Sequence, residues 1–145
     1  MVPIFSIVML GDPRGKGRPR FRVIGKGKKQ FVSTYTDTET RKYEDRLKAI
    51  GAAEMGMGEP FDFPLSVRID AFCPIPASWS LKKRASAEKG EIAPTTKPDA
   101  DNIAKMKDAL NGVVWRDDSL IVSLLVVKRY SLTSSLRIGV WKWFD

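Results

Sequence analysis

The sequence contains no histidine and a single cysteine, Cys73. Without histidine, the chain can have neither Ser-His-Asp nor Cys-His hydrolytic groups, and it can have no histidine-bound zinc. One cysteine excludes an intramolecular disulfide and a zinc cluster built from cysteines. Enzymatic chemistry in this chain must therefore use carboxylates, lysines, hydroxyl groups or a hard metal ion.

Long apolar runs are also absent. No stretch approaches the roughly 18 residues that a membrane span needs, and the apolar run of residues 4–10 lacks the basic flank and cleavage site of a signal peptide. We therefore expect a cytoplasmic protein without a membrane partner. Hydrophobic residues make up 43% of the 145 residues, which is enough to build the core of one domain over residues 1–145.

The net charge of +8 is concentrated near the N-terminus. Residues 1–36 contain eight basic residues and one acidic residue, whereas the rest of the chain contains 17 basic and 16 acidic residues. Glycines and prolines interrupt residues 11–34, so this segment is predicted to be a basic loop or a loose hairpin. Such charge favours a polyanion, nucleic acid first and an anionic membrane surface second. Phe21 and Phe31 either stack on bases or anchor the loop, and the alternative is a solvated loop without a partner.

In the first half of the chain, apolar periodicity predicts two strands and a helix. Residues 4–10 are predicted to be a buried strand. Residues 35–53 are predicted to be a helix capped by Thr36 or Thr38. Apolar side chains alternate over residues 65–73, which indicates a strand with one buried face.

The second half of the chain is predicted to add a helix and two strands. Residues 77–97 are expected to be irregular, with a short helix possible over 81–89. A helix over residues 102–111 would bury one stripe of side chains, namely Ile103, Met106 and Leu110. Residues 119–128 are predicted to be a central strand, and residues 136–140 a last strand that forms a hairpin with it. Together these elements predict a single two-layer α+β domain, with a mixed sheet and two main helices packed on it.

Four aspartates flank the helix predicted over residues 102–111. Asp99 and Asp101 precede it, and Asp117 and Asp118 stand at the start of the following strand. If residues 99–101 are extended, the first two carboxylates point the same way, because side chains alternate along an extended chain. Lys105 lies four residues after Asp101 and shares its helix face. A strand that starts beside the helix N-terminus would bring Asp118 close to the first pair.

Converging carboxylates repel one another and repel a phosphate unless a cation neutralises them. Mg²⁺ prefers a few carboxylate oxygens together with waters and substrate phosphates, and it can polarise a phosphodiester and supply a hydroxide. Lys105 would neutralise charge on the phosphate or orient the water. The structural alternatives are that Asp99 or Asp101 caps the helix, that Asp101 and Lys105 form a surface ion pair, and that residues 117–118 form a turn. Asn102 either orients an aspartate or caps the helix.

These residues resemble the motifs of the RusA family of Holliday junction resolvases, of phage or prophage type. The matching pattern is Asp99-x-Asp101-Asn102-x-x-Lys105, then Asp108-Ala-Leu110, then Trp115-x-Asp117-Asp118, then a valine-rich strand ending at Val127-Lys128. The resemblance implies that Asp99, Asp101 and Asp118 bind a catalytic Mg²⁺, for which Mn²⁺ can substitute. It also implies that Lys105 is the catalytic lysine of the motif and that a homodimer nicks two opposed strands of a four-way DNA junction. We expect Asn102 and Asp117 to support this site.

The best-known family member has an arginine run before the first aspartate, whereas this chain has only Lys97 there. The charge that contacts DNA is therefore expected at Lys97 and in two other clusters. These residues are Arg14, Lys16, Arg18, Arg20, Arg22, Lys28 and Lys29, together with Lys82, Lys83 and Arg84. A restriction-type metal nuclease is a related possibility, although Leu120 stands where its motif needs lysine. The rival from another class is a noncatalytic nucleic-acid-binding module that uses the same basic loop.

Overall fold

The computed structural model describes residues 2–144. Its strands and helices, in chain order, are β1 (Phe5–Leu10), β2 (Arg20–Ile24), β3 (Phe31–Tyr35), α1 (Thr38–Met55), β4 (Leu65–Pro74), α2 (Leu81–Glu88), α3 (Ala100–Ala104), β5 (Ile121–Ser131) and β6 (Ser135–Lys142). Short 3₁₀ turns cover Gly27–Lys29, Lys105–Leu110 and Asp118–Leu120. Among the described residues, no helix is both long and apolar enough to cross a bilayer.

The main sheet has four strands in the order β1-β6-β4-β5. β6 pairs antiparallel with both β1 and β4, while β4 and β5 are parallel. β2 and β3 form a separate antiparallel ribbon. Helices and mixed strands in one chain confirm the predicted α+β class.

Alternation of apolar side chains builds the core. In β4, every second residue from Leu65 to Cys73 is buried, because successive side chains in a strand point to opposite faces. These side chains meet the inward-facing residues of β6 and β1 and the buried face of α1, including Leu47. β1 was predicted to be buried, but it is an edge strand whose residues alternate between buried and exposed.

Helix α1 begins later than the sequence predicted. Tyr35 belongs to β3, where it pairs with Arg20, and the cap is Asp37 rather than Thr36 or Thr38. The Asp37 carboxylate accepts hydrogen bonds from the Thr40 backbone N–H at 3.0 Å and from the Thr40 hydroxyl at 2.8 Å. It therefore satisfies a first-turn donor that has no partner within the helix.

The segment that follows Asp99 begins as an α-helix and continues as a 3₁₀ helix. α3 is followed directly by the 3₁₀ turn Lys105–Leu110, so the prediction of one continuous helix over residues 102–111 is wrong. The predicted stripe is confirmed, because Ile103, Met106 and Leu110 are all fully buried. The 3₁₀ segment has six residues, which is longer than usual for this geometry, and its hydrogen bonds join residues one position closer along the chain than those of an α-helix.

The prediction of a central strand and a terminal hairpin is wrong. β5 is an edge strand, and β4 lies between it and β6. Only residues 132–134 connect β5 to β6, and this short connection crosses the end of β4. β4 ends at Pro74, which has no backbone N–H with which to extend the hydrogen-bond ladder. The predicted short helix after Pro74 is confirmed as α2, which begins at Leu81.

Candidate active site

Asp99 and Asp101 stand at the beginning of α3. Asp99 occupies the cap position in an extended conformation, but its carboxylate makes no capping hydrogen bond. Asp101 lies in the first turn, and both residues are exposed. Within residues 2–144, neither carboxylate has a hydrogen-bond or ion-pair partner. Helix capping by these side chains therefore does not explain the pair.

Lys105 does not pair with Asp101. Its ammonium group donates instead to the Asn102 side-chain oxygen at 3.3 Å, so the surface ion pair considered from the sequence is not formed. Asn102 thereby holds the lysine on the face of α3 that is exposed to solvent. The result is a positive group, oriented by an amide, at the end of α3, while the beginning of α3 carries two carboxylates that have no partner among residues 2–144.

Asp117 and Asp118 have different roles. The Asp117 carboxylate accepts the Ser119 backbone N–H at 3.0 Å, which agrees with the turn predicted there. Hydrogen bonds from the side chain and backbone of Ser119 hold the pKa of Asp117 below its usual value. Asp118 instead accepts the indole N–H of Trp115 through Oδ1 at 2.7 Å. Because Trp115 is fully buried, the orientation of Asp118 is fixed from the protein interior.

The three aspartates are not assembled into a metal cluster. No group of three or more acidic or cysteine side chains in the described part of the chain is arranged to hold a metal ion. Asp99 and Asp101 nevertheless offer exposed, unpartnered carboxylate oxygens. Mg²⁺ is usually bound through one or two carboxylates and completes its shell with waters and substrate phosphates. The donor chemistry of this pair therefore fits a hard divalent cation.

The basic N-terminal loop packs directly on the beginning of α3. The Lys16 backbone N–H donates to the Asn102 carbonyl at 2.8 Å. A Cβ added to Gly15 would lie 2.8 Å from the Cβ of Asn102 and 2.9 Å from that of Pro98, so only glycine allows this approach. A groove of about 450 Å³ runs along the contact. It is lined by Pro13, Arg14, Gly15 and Gly17 on one side and by Lys97, Pro98, Asp99 and Asn102 on the other.

Arg14 and Lys16, which were predicted to contact DNA, are engaged within the protein. The Arg14 guanidinium contacts Asp37 at 3.1 Å. The Lys16 ammonium lies 3.4 Å from Glu44 and 3.9 Å from Asp108. These contacts tie the loop to α1 and to the 3₁₀ turn after α3.

The other predicted DNA-contacting residues lie in three places. Lys97 is exposed beside Asp99. Lys82 and Lys83 are exposed on α2, where Arg84 is half-buried and the Lys83 ammonium lies 3.9 Å from the centre of the Trp79 ring. The exposed residues on or beside the β2–β3 ribbon are Arg18, Arg20, Arg22, Lys28 and Lys29.

Sequence reasoning missed several supports of the site. The Lys128 ammonium on β5 donates to the Thr96 carbonyl at 2.8 Å, which fixes the segment just before Asp99. The contact of Gly15 and the hydrogen bond from Trp115 were also missed. The cap at Asp37 has a local signal, an acidic side chain three residues before Thr40. Trp115 and Asp118 are also only three residues apart, whereas the contacts of Lys128 and Gly15 join distant parts of the chain.

The fold and these side chains define a small basic α+β protein whose carboxylate pair suits a hard cation and whose surface suits a polyanion. A family model described as endodeoxyribonuclease RusA matches residues 11–140. The chain therefore belongs to the RusA family of endodeoxyribonucleases. Family membership implies a nuclease of the Holliday junction resolvase type, which acts on branched DNA in recombination and generally depends on a divalent metal ion.

One curated relative has a sequence similar over most of its length. This protein of Bacillus subtilis (strain 168), described as uncharacterized protein YqaN, is 40% identical over 129 residues, which cover 87% of each chain. Its description assigns no activity. The relative therefore extends the similarity without adding a function to it.

Proposed function

We propose that this chain is a Mg²⁺-dependent endodeoxyribonuclease that resolves Holliday junctions by paired, symmetric nicking as a homodimer. Residues 1–145 would form one nuclease domain, with a basic loop over 11–34 and a catalytic segment over 97–118. The observation that carries the proposal is the exposed pair Asp99 and Asp101, which has no hydrogen-bond or ion-pair partner among residues 2–144 and lies within the residues that the family model matches. Mn²⁺ is expected to substitute for Mg²⁺, since it also accepts carboxylate and water ligands.

Three aspartates are assigned to the metal ion, although the described residues do not hold them as a preformed cluster, so the ion would have to bring Asp118 to the other two. Asp99 and Asp101 would bind it with their exposed carboxylates. Asp118 has Oδ1 held by Trp115, which leaves Oδ2 as its ligand atom. The ion, when bound, would polarise the scissile phosphate and lower the pKa of the attacking water. Asp117 supports this arrangement by shaping the turn that presents Asp118.

Lys105 is assigned to the charge that develops on the phosphate. Its ammonium group is held by Asn102, so the cation is oriented before the substrate arrives. A preoriented positive group stabilises negative charge in the transition state more effectively than a mobile one. Asn102 therefore acts through Lys105 and through the beginning of the helix.

DNA would be held mainly by exposed cations. Lys97 lies beside the carboxylate pair, and Arg18, Arg20 and Arg22 lead from the loop into the ribbon. Lys28 and Lys29 lie at the ribbon tip, and residues 82–84 form the second basic cluster, on α2. Arg14 and Lys16 would contribute by holding the loop in place, because their charges already face acidic side chains.

The proposal is tested with a labelled four-way junction and a linear duplex, each incubated with and without Mg²⁺. We expect two opposed nicks in the junction, only with the metal ion, and a dimer by light scattering. Asp99→Asn should slow cleavage by more than roughly 100-fold, since changes outside the ligand shell already cost 10–100-fold. Its junction binding and folding should be retained.

The matched control is Asp62→Asn. Asp62 is exposed and makes one surface ion pair with Arg116 at 3.2 Å, which contributes little to stability. Its variant should cleave within about twofold of the unaltered chain. Full activity of Asp99→Asn would contradict the metal site. Tight binding by the unaltered chain without any cleavage in Mg²⁺ or Mn²⁺ would instead favour the noncatalytic binding module.

A further inference from the structure

The β2–β3 ribbon lies outside the hydrophobic core. None of its residues is buried, and it contributes none of the core side chains. An isolated two-stranded hairpin is only marginally stable in water. The ribbon is therefore a projecting surface element whose apolar residues do not serve the core of this chain.

One face of the ribbon is an apolar strip open to solvent. Directly paired residues of antiparallel strands share a face, and Val23 pairs with Val32 while Phe21 pairs with Thr34. Phe21, Val23 and Val32 are 68%, 64% and 65% exposed, respectively. The sequence left open whether Phe21 and Phe31 anchor the loop or stack on bases, and both are mostly exposed, at 68% and 59%, so neither belongs to the buried core.

The opposite face borders a cavity that it shares with helix α1. There Arg22 lies over the Tyr35 ring, with 5.2 Å between the guanidinium carbon and the ring centre. A cavity of about 560 Å³ on this side is lined by Arg22 and Tyr35 together with Glu44 and Asp45 of α1. Phe31, on this same face, is also 59% exposed, so neither face of the ribbon is covered. The Phe21 face is the one on which three neighbouring apolar side chains lie open to a partner.

Charge indicates which partner the strip accepts. Residues 18–35 contain six basic residues and no acidic residue. Pairing two such ribbons would bring like charges together, whereas a polyanion would neutralise them. A polyanion that also presents apolar surface is DNA with unstacked bases, and aromatic side chains stack on such bases regardless of sequence.

We propose that the ribbon probes the branch point of the junction, with its cations on phosphates and Phe21 packed against bases unstacked there. This inference rests on the proposed function, since it names how the same enzyme selects its substrate. The ribbon follows directly from the loop in which Gly15 packs against Asn102. The position of the ribbon is therefore tied to that of the carboxylate pair at the beginning of α3. Each strand has five residues, so the ribbon reaches roughly 16 Å from its base.

The test uses a four-way junction with 2-aminopurine at the branch point, and a second junction with 2-aminopurine in the middle of an arm. Binding is measured without a divalent metal ion, so that no cleavage occurs. The unaltered chain should raise the emission of the branch-point probe and leave the arm probe unchanged. Phe21→Ala should lose that rise and weaken junction binding by about 5- to 150-fold, with duplex binding and its salt dependence unchanged.

The matched control is Phe144→Ala, because Phe144 is similarly exposed, at 63%, but lies far along the chain from the ribbon. It should retain the emission rise. The inference is overturned if Phe21→Ala keeps both the rise and the preference for junctions. It is also overturned if this variant dissociates a dimer while keeping that preference, because the strip would then contact a second copy. Loss of the proposed function is seen separately, as a failure of the unaltered chain to cleave junctions in Mg²⁺.

Discussion

Gly15 shows how one missing side chain brings two distant segments together. Its backbone is not in the left-handed region, so alanine is conformationally acceptable there, and the obstacle is contact with Pro98 and Asn102. Gly15→Ala must push the loop or the beginning of α3 aside. A displacement of about 1 Å can cost 100-fold in rate, so we expect cleavage to fall about 10- to 100-fold, measured by single-turnover kinetics on a junction.

Gly17→Ala is the control for this prediction. It makes the same chemical change two residues further along the loop, where an added Cβ meets nothing within 4 Å. Its cleavage rate should stay within about threefold of that of the unaltered chain. Equal losses in both variants would show that loop flexibility, and not the contact with α3, limits the reaction.

For single residues, the sequence predicts which side chains belong to the candidate site better than it predicts the contacts that position them. The spacing of Asp99 and Asp101 before a helix was sufficient to single them out. Nothing near Trp115 in the sequence indicates that its indole binds Asp118, and nothing near Gly15 indicates Asn102 as a neighbour. The contact of Gly15 depends on how distant segments pack, so a local pattern cannot contain it. Trp115 and Asp118 are only three residues apart, but that spacing alone does not show that the two side chains point towards each other.

Helix α1 provides a prediction about pH at the scale of one element. Hydrogen bonds from Thr40, first from its backbone N–H and then from its hydroxyl, hold the pKa of Asp37 below the usual 3.8. Because the folded-state pKa is the lower one, the ionised cap stabilises the fold above pH 3.8, and this contribution is lost as pH falls through the folded-state pKa.

Asp37→Asn keeps a side-chain oxygen at the cap and removes the titration. We expect this variant to have a lower Tm than the unaltered chain at neutral pH, and we expect the difference in Tm to shrink as pH falls through the folded-state pKa of Asp37. Thermal unfolding followed by circular dichroism across this range measures the difference. A gap that stays constant down to the lowest pH would refute the role of the ionised cap.

Strands and helices were predictable where a single face is buried, because the apolar residues then recur at a regular spacing. β4 alternates cleanly because one side meets the core, and the stripe through Ile103 is visible for the same reason. The prediction for β5 was wrong because β5 is apolar on both faces, although Val122, Leu124 and Leu125 are exposed at the sheet edge. Apolar density does not reveal strand order, which is set by pairing between segments far apart in sequence.

At the scale of the whole molecule, the uneven charge predicts a local effect on DNA binding. Changing Arg18, Arg20 and Arg22 to alanine should weaken junction binding and reduce the slope of log affinity against log salt by up to about 2.7, since each phosphate contact contributes about 0.9. Fluorescence anisotropy at several salt concentrations measures this slope.

The control for this prediction removes the same charge elsewhere. Lys48, Arg116 and Lys142 are exposed and are not assigned to DNA contact. Their triple alanine variant lowers the net charge equally, so its slope should change far less. Similar slopes in the two triple variants would mean that total charge, and not the position of the arginines on and just before the ribbon, determines the affinity for DNA.

The class of fold and the polyanionic partner follow from composition and periodicity, which are properties of the whole chain. The relative placement of the aspartates does not, because it depends on α3 changing to a 3₁₀ turn and on how the chain returns to β5. Sequence spacing predicted three converging carboxylates. The structure leaves two of them open to solvent and holds the third from inside.

The hydrogen bond between Trp115 and Asp118 links the packing of the protein interior to the orientation of a residue assigned to the reaction. The indole is enclosed on all sides, yet its single polar atom ends on an acid assigned to the reaction. Substitutions that repack the core around the Trp115 ring would change the orientation of the Asp118 carboxylate, even where they introduce only apolar side chains and leave Tm unchanged. Variants selected only for a more stable core should therefore also be assayed for a reduced rate of DNA cleavage.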